Sequence, residues 1–204
     1  MTSGVKAEGI PCRLASMLYV FLLSTSIPVC TQASADADLS QVMRALSTVR
    51  AADGRFTERK YLSILSEPLV LEGTVRYRAP DYVRKEYDDP ESEAYEVRGD
   101  NLTIELPDGR RRDLSIDEHP VLRAFVESYR GTLAGDLKTL SRHFDLALTG
   151  PMDAWRLRLT PRRPELAKYL RAVVIHGNGG KVLRVETLES NGDRSVMTVD
   201  ATGE

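Results

Sequence analysis

The stretch Leu71-Glu-Gly-Thr-Val-Arg-Tyr-Arg78 decides the fold class, because its residue types alternate with a period of two. The odd-numbered positions are apolar or glycine, whereas the even-numbered positions are charged or polar. Such alternation is typical of an antiparallel strand with one buried and one solvated face. The stretch Trp155-Arg-Leu-Arg-Leu-Thr160 repeats the pattern. The sequence therefore predicts a sheet whose strands share one apolar face.

Further short runs of strand-forming residues lie on both sides of these stretches, at roughly ten-residue spacing. Turn formers such as Pro107-Asp-Gly109 and Ser190-Asn-Gly-Asp193 separate them. We predict a mainly β fold with some α-helix, built on one antiparallel sheet of about eleven strands, which must curl strongly at that size. The predicted strands are residues 56–65, 69–78, 82–88, 94–98, 102–106, 111–116, 144–149, 155–160, 172–176, 181–188 and 195–199.

Two or three amphipathic helices are predicted to cover part of the apolar face. Asp38 and Gln41 form a capping box for the first helix, and Gly54 is expected to end it. Asp117 is the expected cap of the second helix, and Gly131 its expected end. The apolar stripes are Leu39, Val42, Met43, Leu46 and Val49 in the first helix and Val121, Leu122, Phe125, Val126 and Tyr129 in the second; shorter helical segments are expected at 136–142 and 164–170.

The first 35 residues have the three-part pattern of a secretory signal peptide. Lys6 and Arg13 precede an apolar run at 14–23, and Ala33-Ser-Ala35 supplies the small residues that a signal peptidase requires. A retained membrane anchor is the alternative, but a spanning helix needs about 20 mostly apolar residues. We therefore expect cleavage after Ala35, a mature single domain at 36–204, and a periplasmic location.

Composition excludes several classes of function. The chain has 28 Lys and Arg against 30 Asp and Glu, so its net charge of −2 argues against nucleic-acid binding. Cys12 and Cys30 both precede the expected cleavage site, which leaves no thiol for catalysis or zinc binding. His119, His143 and His176 lie far apart, without the spacing of a metal-binding pair. We expect a binding protein with no cofactor and no metal; an enzyme would need a constellation that the sequence does not display.

Several motifs, in this order, resemble the periplasmic outer-membrane lipoprotein carrier family (LolA-like). That family opens with a helix and a Phe-Thr-Gln strand, which Phe56-Thr-Glu58 approximates. A glycine-containing strand with a proline turn follows, as in 71–83, and Asp89-Pro90 closes the next strand. Val97-Arg-Gly-Asp-Asn-Leu102 and Leu188-Glu-Ser-Asn-Gly-Asp-Arg-Ser195 are similar to a later turn and the final hairpin of the family. The resemblance spans residues 39–199 and suggests a divergent member.

The resemblance implies an open half-barrel with a helical lid, whose apolar cavity shelters acyl chains that cross the aqueous periplasm. Each methylene removed from water gains about 0.8 kcal/mol, so an acyl chain needs such a shelter. The implied partners are a lipoprotein or another acylated lipid as cargo, an inner-membrane donor complex and an outer-membrane acceptor, with the carrier itself a monomer. The expected cavity lining is Phe56, Leu71, Val75, Tyr77, Val83, Leu102, Ile104, Leu122, Phe125, Trp155 and Leu157.

One position departs from the family's pattern. The family has an arginine directly before the turn proline and implicates it in lid closure. Here Ala79 precedes Pro80, and Arg78 lies one residue earlier. A shift of one residue moves a side chain to the other face of a strand. Arg78 is therefore the possible lid latch, and the cargo could be an acylated lipid other than a lipoprotein.

A second interpretation stays open, because stripes of Leu, Val and Tyr are also what an ordinary filled core displays. The same fold would then serve as a lipid-sensing or adaptor module rather than a carrier. An open apolar cavity between the sheet and the helices at 39–49 and 121–129 would favour the carrier. A filled interior would favour the adaptor.

Overall fold

The computed structural model describes residues 36–88, 90 and 92–201. The predicted signal peptide, residues 1–35, lies outside the described residues. The described elements run in the following order: α1 Leu39–Ser47, β1 Ala51–Tyr61, β2 Leu69–Arg78, β3 Tyr82–Tyr87, β4 Ala94–Arg98, β5 Asn101–Glu105, β6 Arg111–Ser115, a 3-10 turn Ile116–Glu118, α2 Pro120–Leu133, α3 Leu137–His143, β7 Phe144–Thr149, β8 Trp155–Pro161, α4 Pro164–Ala167, β9 Leu170–Asn178, β10 Lys181–Glu189 and β11 Arg194–Ala201.

All eleven described strands belong to one sheet, in the order β6-β5-β4-β3-β2-β1-β11-β10-β9-β8-β7. Every neighbouring pair is antiparallel. β1 lies at the centre, and β6 and β7 form the two edges. The chain passes from one edge to the other through α2 and α3, which brings these helices across the sheet. The predicted mainly β fold, an open curved antiparallel sheet of eleven strands, is confirmed.

α1 begins at the predicted capping box, in which Asp38 accepts a hydrogen bond from the backbone of Ser40 and Gln41 reaches back to the cap. The helix ends at Ser47, so the predicted end at Gly54 is wrong. Gly54 lies inside β1, where it pairs with Val75 of β2. Pairing with β2 supplies hydrogen-bond partners for the backbone groups of residues 51–54. This pairing outweighs the tendency of Gly54 to end a helix.

α2 also differs from its predicted bounds. Asp117 lies in the 3-10 turn before the helix, which begins at Pro120, in the position where proline costs no hydrogen bond. Gly131 lies within α2 rather than at its end. A Cβ atom at this position would lie 3.1 Å from the side chain of Leu140. The glycine is therefore needed for the close approach of α3. The described residues form four α-helices, where two or three were expected.

Candidate functional site

The nine strand residues of the predicted lining all lie on one face of the sheet, which we call the helix-side face. The pairing register shows this, because residues directly opposite each other on neighbouring strands share a face: Tyr77 pairs with Val83, Val83 with Val97, and Val97 with Leu102. Val97 and Leu102 in turn pack against Val126 of α2. The remaining predicted residues, Leu122 and Phe125, belong to α2 itself.

Eight of the eleven predicted lining residues fall into three clusters rather than around one cavity. The largest, which we call the packed flank, joins α1, α2, α3 and α4 to strands β7–β10. Trp155 and Leu157 belong to it, with 1% and 0% of their surface exposed. The buried residues of the packed flank are Val42, Met43, Leu46, Ala124, Leu140, Phe144, Trp155, Leu157, Leu159, Leu166, Leu170, Val173, Ile175 and Val185.

A smaller cluster lies toward the other edge of the sheet. Leu102 of β5 packs against Val126 of α2, and Ile116 of the 3-10 turn closes the cluster. Two further predicted residues, Ile104 and Leu122, pack around its margin. α2 therefore contacts both flanks of the helix-side face and crosses the strands between them.

The third cluster, which we call the central cluster, occupies the middle of the face. Its residues are Phe56, Leu71, Val75, Tyr87, Tyr95, Met197 and Val199. All of them come from β11 and β1–β4, and among the described residues no helix contributes a side chain to it. Gly73 makes room for the Phe56 ring, because a Cβ atom there would lie 2.8 Å from the ring. The Phe56 and Tyr87 rings then meet edge to face, with centroids 5.5 Å apart.

A buried ion pair lies within the central cluster, and the sequence analysis did not identify it. Glu58 Oε2 accepts hydrogen bonds from Lys85 Nζ at 2.7 Å and from the Tyr87 hydroxyl at 2.6 Å. The Lys85 ammonium also lies 4.8 Å from the Phe56 ring centroid. Burial alone would raise the pKa of Glu58, but Lys85 and Tyr87 outweigh it and hold the pKa below its ordinary value. The sequence does contain one indication of this pair. Glu58 lies two residues after Phe56 on the same strand, so its side chain points to the same apolar face.

Two polar contacts join the C-terminal half of α2 to the sheet. The Tyr129 and Thr187 hydroxyls hydrogen-bond at 2.9 Å, which ties the helix to β10. Arg130 Nη1 donates to the carbonyl of Gly99, in the turn between β4 and β5, at 2.6 Å. One helical turn earlier, Phe125 is 36% exposed and packs edge to face on Tyr129. Burial raises the pKa of Tyr129 to about 12, so its hydroxyl stays protonated at neutral pH.

The structure places Arg78 on the face of the sheet opposite α2. Its guanidinium pairs with both carboxylate oxygens of Asp53, at 2.6 and 2.8 Å. The contact between the helix and the rim of the sheet is made instead by Arg130, from the helix side. The sequence of β2 already indicates this, since Arg78 occupies an even-numbered, outward position in the alternation.

Tyr77 and Val83 lie beyond the central cluster, toward the turn that follows β2. Tyr77 is 2% exposed, and its hydroxyl is buried without a hydrogen bond to any described residue. Burial raises the pKa of this hydroxyl. Val83 lies opposite Tyr77 on β3 and is partly buried. These two residues extend the apolar helix-side face without belonging to any of the three clusters.

Two cavities lie away from the predicted lining. One, of about 660 Å³, is enclosed by the first turns of α2, the end of α3 and α4. The other, of about 630 Å³, is bordered by the outward side chains of Thr74, Arg76 and Glu86. None of the predicted lining residues borders either cavity. Where α1 covers the helix-side face, Val42, Met43 and Leu46 are buried against the strands in the packed flank.

Across residues 36–88, 90 and 92–201, no helix combines the length and apolar character needed to cross a membrane. Over the same residues, no group of three or more His, Cys, Asp or Glu side chains is placed to hold a metal ion.

Several solved structures are similar to this chain at low sequence identity. Among solved structures, the chain is similar to a DUF1329 family protein from Desulfovibrio piger, with 13% identity, a TM-score of 0.45, and coverage of 80% of this chain and 89% of that one. It is similar to a LolA superfamily protein from Nitrosomonas europaea, with 11% identity, a TM-score of 0.41, and coverage of 80% and 92%. A MucA/MucB complex from Pseudomonas aeruginosa matches at 15% identity and a TM-score of 0.42, over 82% of this chain and 58% of that one.

No curated protein matches the chain. The model of the family described as outer membrane lipoprotein carrier protein LolA-like matches residues 31–202, which is most of the chain. The resemblance found in the sequence motifs is thereby confirmed, and the chain belongs to the LolA-like outer membrane lipoprotein carrier family.

Proposed function

We propose that this protein is a periplasmic carrier, which shelters the acyl chains of a lipoprotein or another acylated cargo against the central cluster. One observation carries the proposal. The middle of the helix-side face is apolar, yet among the described residues no helix side chain belongs to its cluster. α2 crosses this region while presenting the half-exposed Phe125. A displaced α2 would leave an apolar surface that an acyl chain can cover.

The packed flank is the fixed part of this carrier. Its residues are buried by four helices, so an acyl chain could enter there only by displacing close-packed side chains. α2 is the proposed movable part. The hydrogen bonds of Tyr129 and Arg130 hold its C-terminal half to the sheet, and Ala124 and Val126 pack into the clusters on either side. Each such bond is worth roughly 0.5–1.5 kcal/mol, up to about 3 where one group is charged. Each buried methylene of cargo gains about 0.8 kcal/mol, so an acyl chain of several methylenes can offset these bonds and the lost packing.

The proposed setting follows from the family. A cleaved signal peptide would deliver the protein to the periplasm. There it would receive cargo from an inner-membrane complex and pass it to an acceptor at the outer membrane. The transfer requires binding and release but no covalent step. We propose that the mature carrier acts as a monomer, with one cargo molecule at a time.

Native mass spectrometry of the protein purified from its own host tests the proposal most directly. We expect a bound lipid or a bound acylated protein, and absence of any acyl-bearing ligand would contradict it. A fluorescent fatty acid adds a positional test, using Val75→Glu in the central cluster and Val70→Glu as its control. The two valines belong to the same strand and face opposite sides of the sheet. Only Val75→Glu is expected to weaken probe binding.

The adaptor function is the second candidate, and the packed flank favours it. Trp155 and Leu157 were expected beside a cargo cavity, but they lie in a core without free volume of that kind. An adaptor would carry a partner protein and no lipid from its host. Recovery of a stoichiometric protein partner without an acyl group, together with no binding of the fluorescent fatty acid, would select the adaptor over the carrier.

A further inference from the structure

The cavity of about 660 Å³ lies in the helical layer, separate from the central cluster. Its floor is apolar and consists of Pro120, Val121 and Ala124 from α2 and Leu166 from α4. Cavities of roughly 300–1,000 Å³ with an apolar lining and a few polar groups are typical of small-molecule sites. The cavity therefore has the size and the lining of a ligand-binding pocket.

Two of the three carboxylates that border this pocket have a close basic neighbour. Glu127 Oε2 lies 2.6 Å from His143 Nε2, and both side chains are largely buried; this contact is an ion pair only when His143 is protonated. Asp117 forms a close ion pair with Arg123 at the pocket's edge. Glu165 is the third carboxylate.

Two guanidinium groups remain at the mouth of the pocket. Arg142 comes from the end of α3, and Arg163 directly precedes α4. Within the described part of the chain, neither forms an ion pair; Arg142 has only a longer-range electrostatic interaction with Asp136, the cap of its own helix. Together with the Glu165 carboxylate, these exposed groups at the mouth carry one net positive charge. Guanidinium groups bind carboxylate and phosphate oxygens through paired hydrogen bonds.

We propose that this pocket binds a small anionic amphiphile, with its carboxylate or phosphate on Arg142 and Arg163 and its apolar part against Val121, Ala124 and Leu166. This site is separate from the cargo surface. Pro120, Arg123, Ala124 and Glu127 follow one another at helical spacing on α2. Leu122 and Val126 pack on the sheet from a different side of the same helix. A ligand in the pocket would thus contact the proposed movable helix from the side away from the cargo.

Isothermal titration calorimetry on the full protein with four eight-carbon probes tests the proposal. The probes are octanoate, octyl phosphate, octanol and octyltrimethylammonium, which share a chain and differ in head group. We expect at least one of the two anions to bind about tenfold or more tightly than octanol, because a charged hydrogen bond is added. The tighter anion identifies the head group. Equal binding of octanol, tighter binding of the ammonium, or no binding of any probe would overturn the proposal.

Paired variants locate the site. Arg142→Gln with Arg163→Gln should lower anion affinity to that of octanol. Arg156→Gln with Arg158→Gln is the matched control, since both arginines face outward on β8. Anion binding that survives in the first double variant would overturn the assignment. Val75→Glu separates this proposal from the carrier function. It should abolish fatty-acid binding at the central cluster and leave anion binding in the pocket unchanged.

Discussion

The packed flank and the central cluster lie on the same face of the same sheet, yet they are covered in different ways. In the packed flank, side chains from α1, α2, α3 and α4 fill the space above β7–β10. In the central cluster, strand residues pack among themselves around a buried Glu58–Lys85 pair. The first region is an ordinary protein core. The second is an apolar surface with a charged pair inside it. α2 crosses it, held by polar contacts at Tyr129 and Arg130 and by the packing of Ala124 and Val126 on either side.

If the protein is the proposed carrier, the difference predicts that the packed flank contributes mainly to stability and the central cluster to binding. A core that is filled by helices contributes burial energy whether or not cargo is present. The central residues Phe56, Leu71 and Tyr87 are also buried, so a guest would gain burial there by taking the place of a displaced α2. Substitutions should therefore separate the two regions, with stability changing most in one set and ligand affinity in the other.

The largest effect is expected from the charged pair of the central cluster. Lys85→Met leaves the Glu58 carboxylate buried without its counter-ion, which should cost about 3–5 kcal/mol of unfolding free energy. Urea denaturation measures this loss. The double variant Glu58→Gln with Lys85→Met removes both charges, so it should recover a large part of the stability. Equal losses in the single and double variants would show that the pair does not stabilise the centre.

A matched pair of truncations tests the comparison itself. Leu157→Ala in the packed flank should lower the unfolding free energy by about 2–5 kcal/mol, because it opens a cavity in a close-packed core. Val75→Ala in the partly exposed centre should cost about 1–2 kcal/mol. Binding of a fluorescent fatty acid to the folded protein should fall in Val75→Ala and persist in Leu157→Ala. The reverse pattern would place the cargo site in the flank.

Much of the fold follows from the period of the sequence. The strand at Leu69–Arg78 and the capping box at Asp38 were predicted as they occur. Two of the errors fell on glycines, because Gly54 and Gly131 are of a residue type that often ends helices but occupy positions that strand pairing and helix packing define. Local sequence cannot reveal that α3 approaches α2 at Gly131.

The sequence predicts which residues of the candidate site share the inward face of the sheet. It does not predict which of their side chains contact one another. Alternation places Phe56 and Leu71 inward, and the structure agrees. Glu58 and Lys85 meet across 27 positions of sequence, and Arg130 reaches Gly99 across 31. Such contacts depend on the strand register and on the position of α2, and neither can be read from the periodicity of the sequence. The structure alone therefore identifies the buried ion pair and the attachment of α2.

A smaller effect is expected where α2 meets the sheet. Tyr129→Phe removes the hydrogen bond to Thr187, which should cost about 0.5–1.5 kcal/mol of unfolding free energy. If α2 covers the cargo surface, the same variant should exchange a fluorescent fatty acid faster in stopped-flow displacement. Thr187→Val removes the same bond from the other side, so the double variant should add little to either change. Tyr169→Phe, at a tyrosine that is 64% exposed, is the control and should leave both the unfolding free energy and the exchange rate unchanged. An unaltered exchange rate in Tyr129→Phe would argue against α2 as the cover.

The smallest effect concerns acid stability, and it too belongs to the centre. Lys85 and Tyr87 hold the folded-state pKa of Glu58 below its ordinary value of 4.5. As the pH falls, the unfolded chain therefore takes up this proton first. The stabilisation is complete above pH 4.5 and is lost as the pH drops through the lower folded-state value. Glu58→Gln should consequently lose less stability than the wild type below pH 4.5, when both are followed by thermal unfolding. A residual acid slope should persist from other carboxylates whose pKa is lowered, such as Asp136. If the variant and the wild type lost stability in parallel, the Glu58–Lys85 pair would not be the acid-sensitive element of the central cluster.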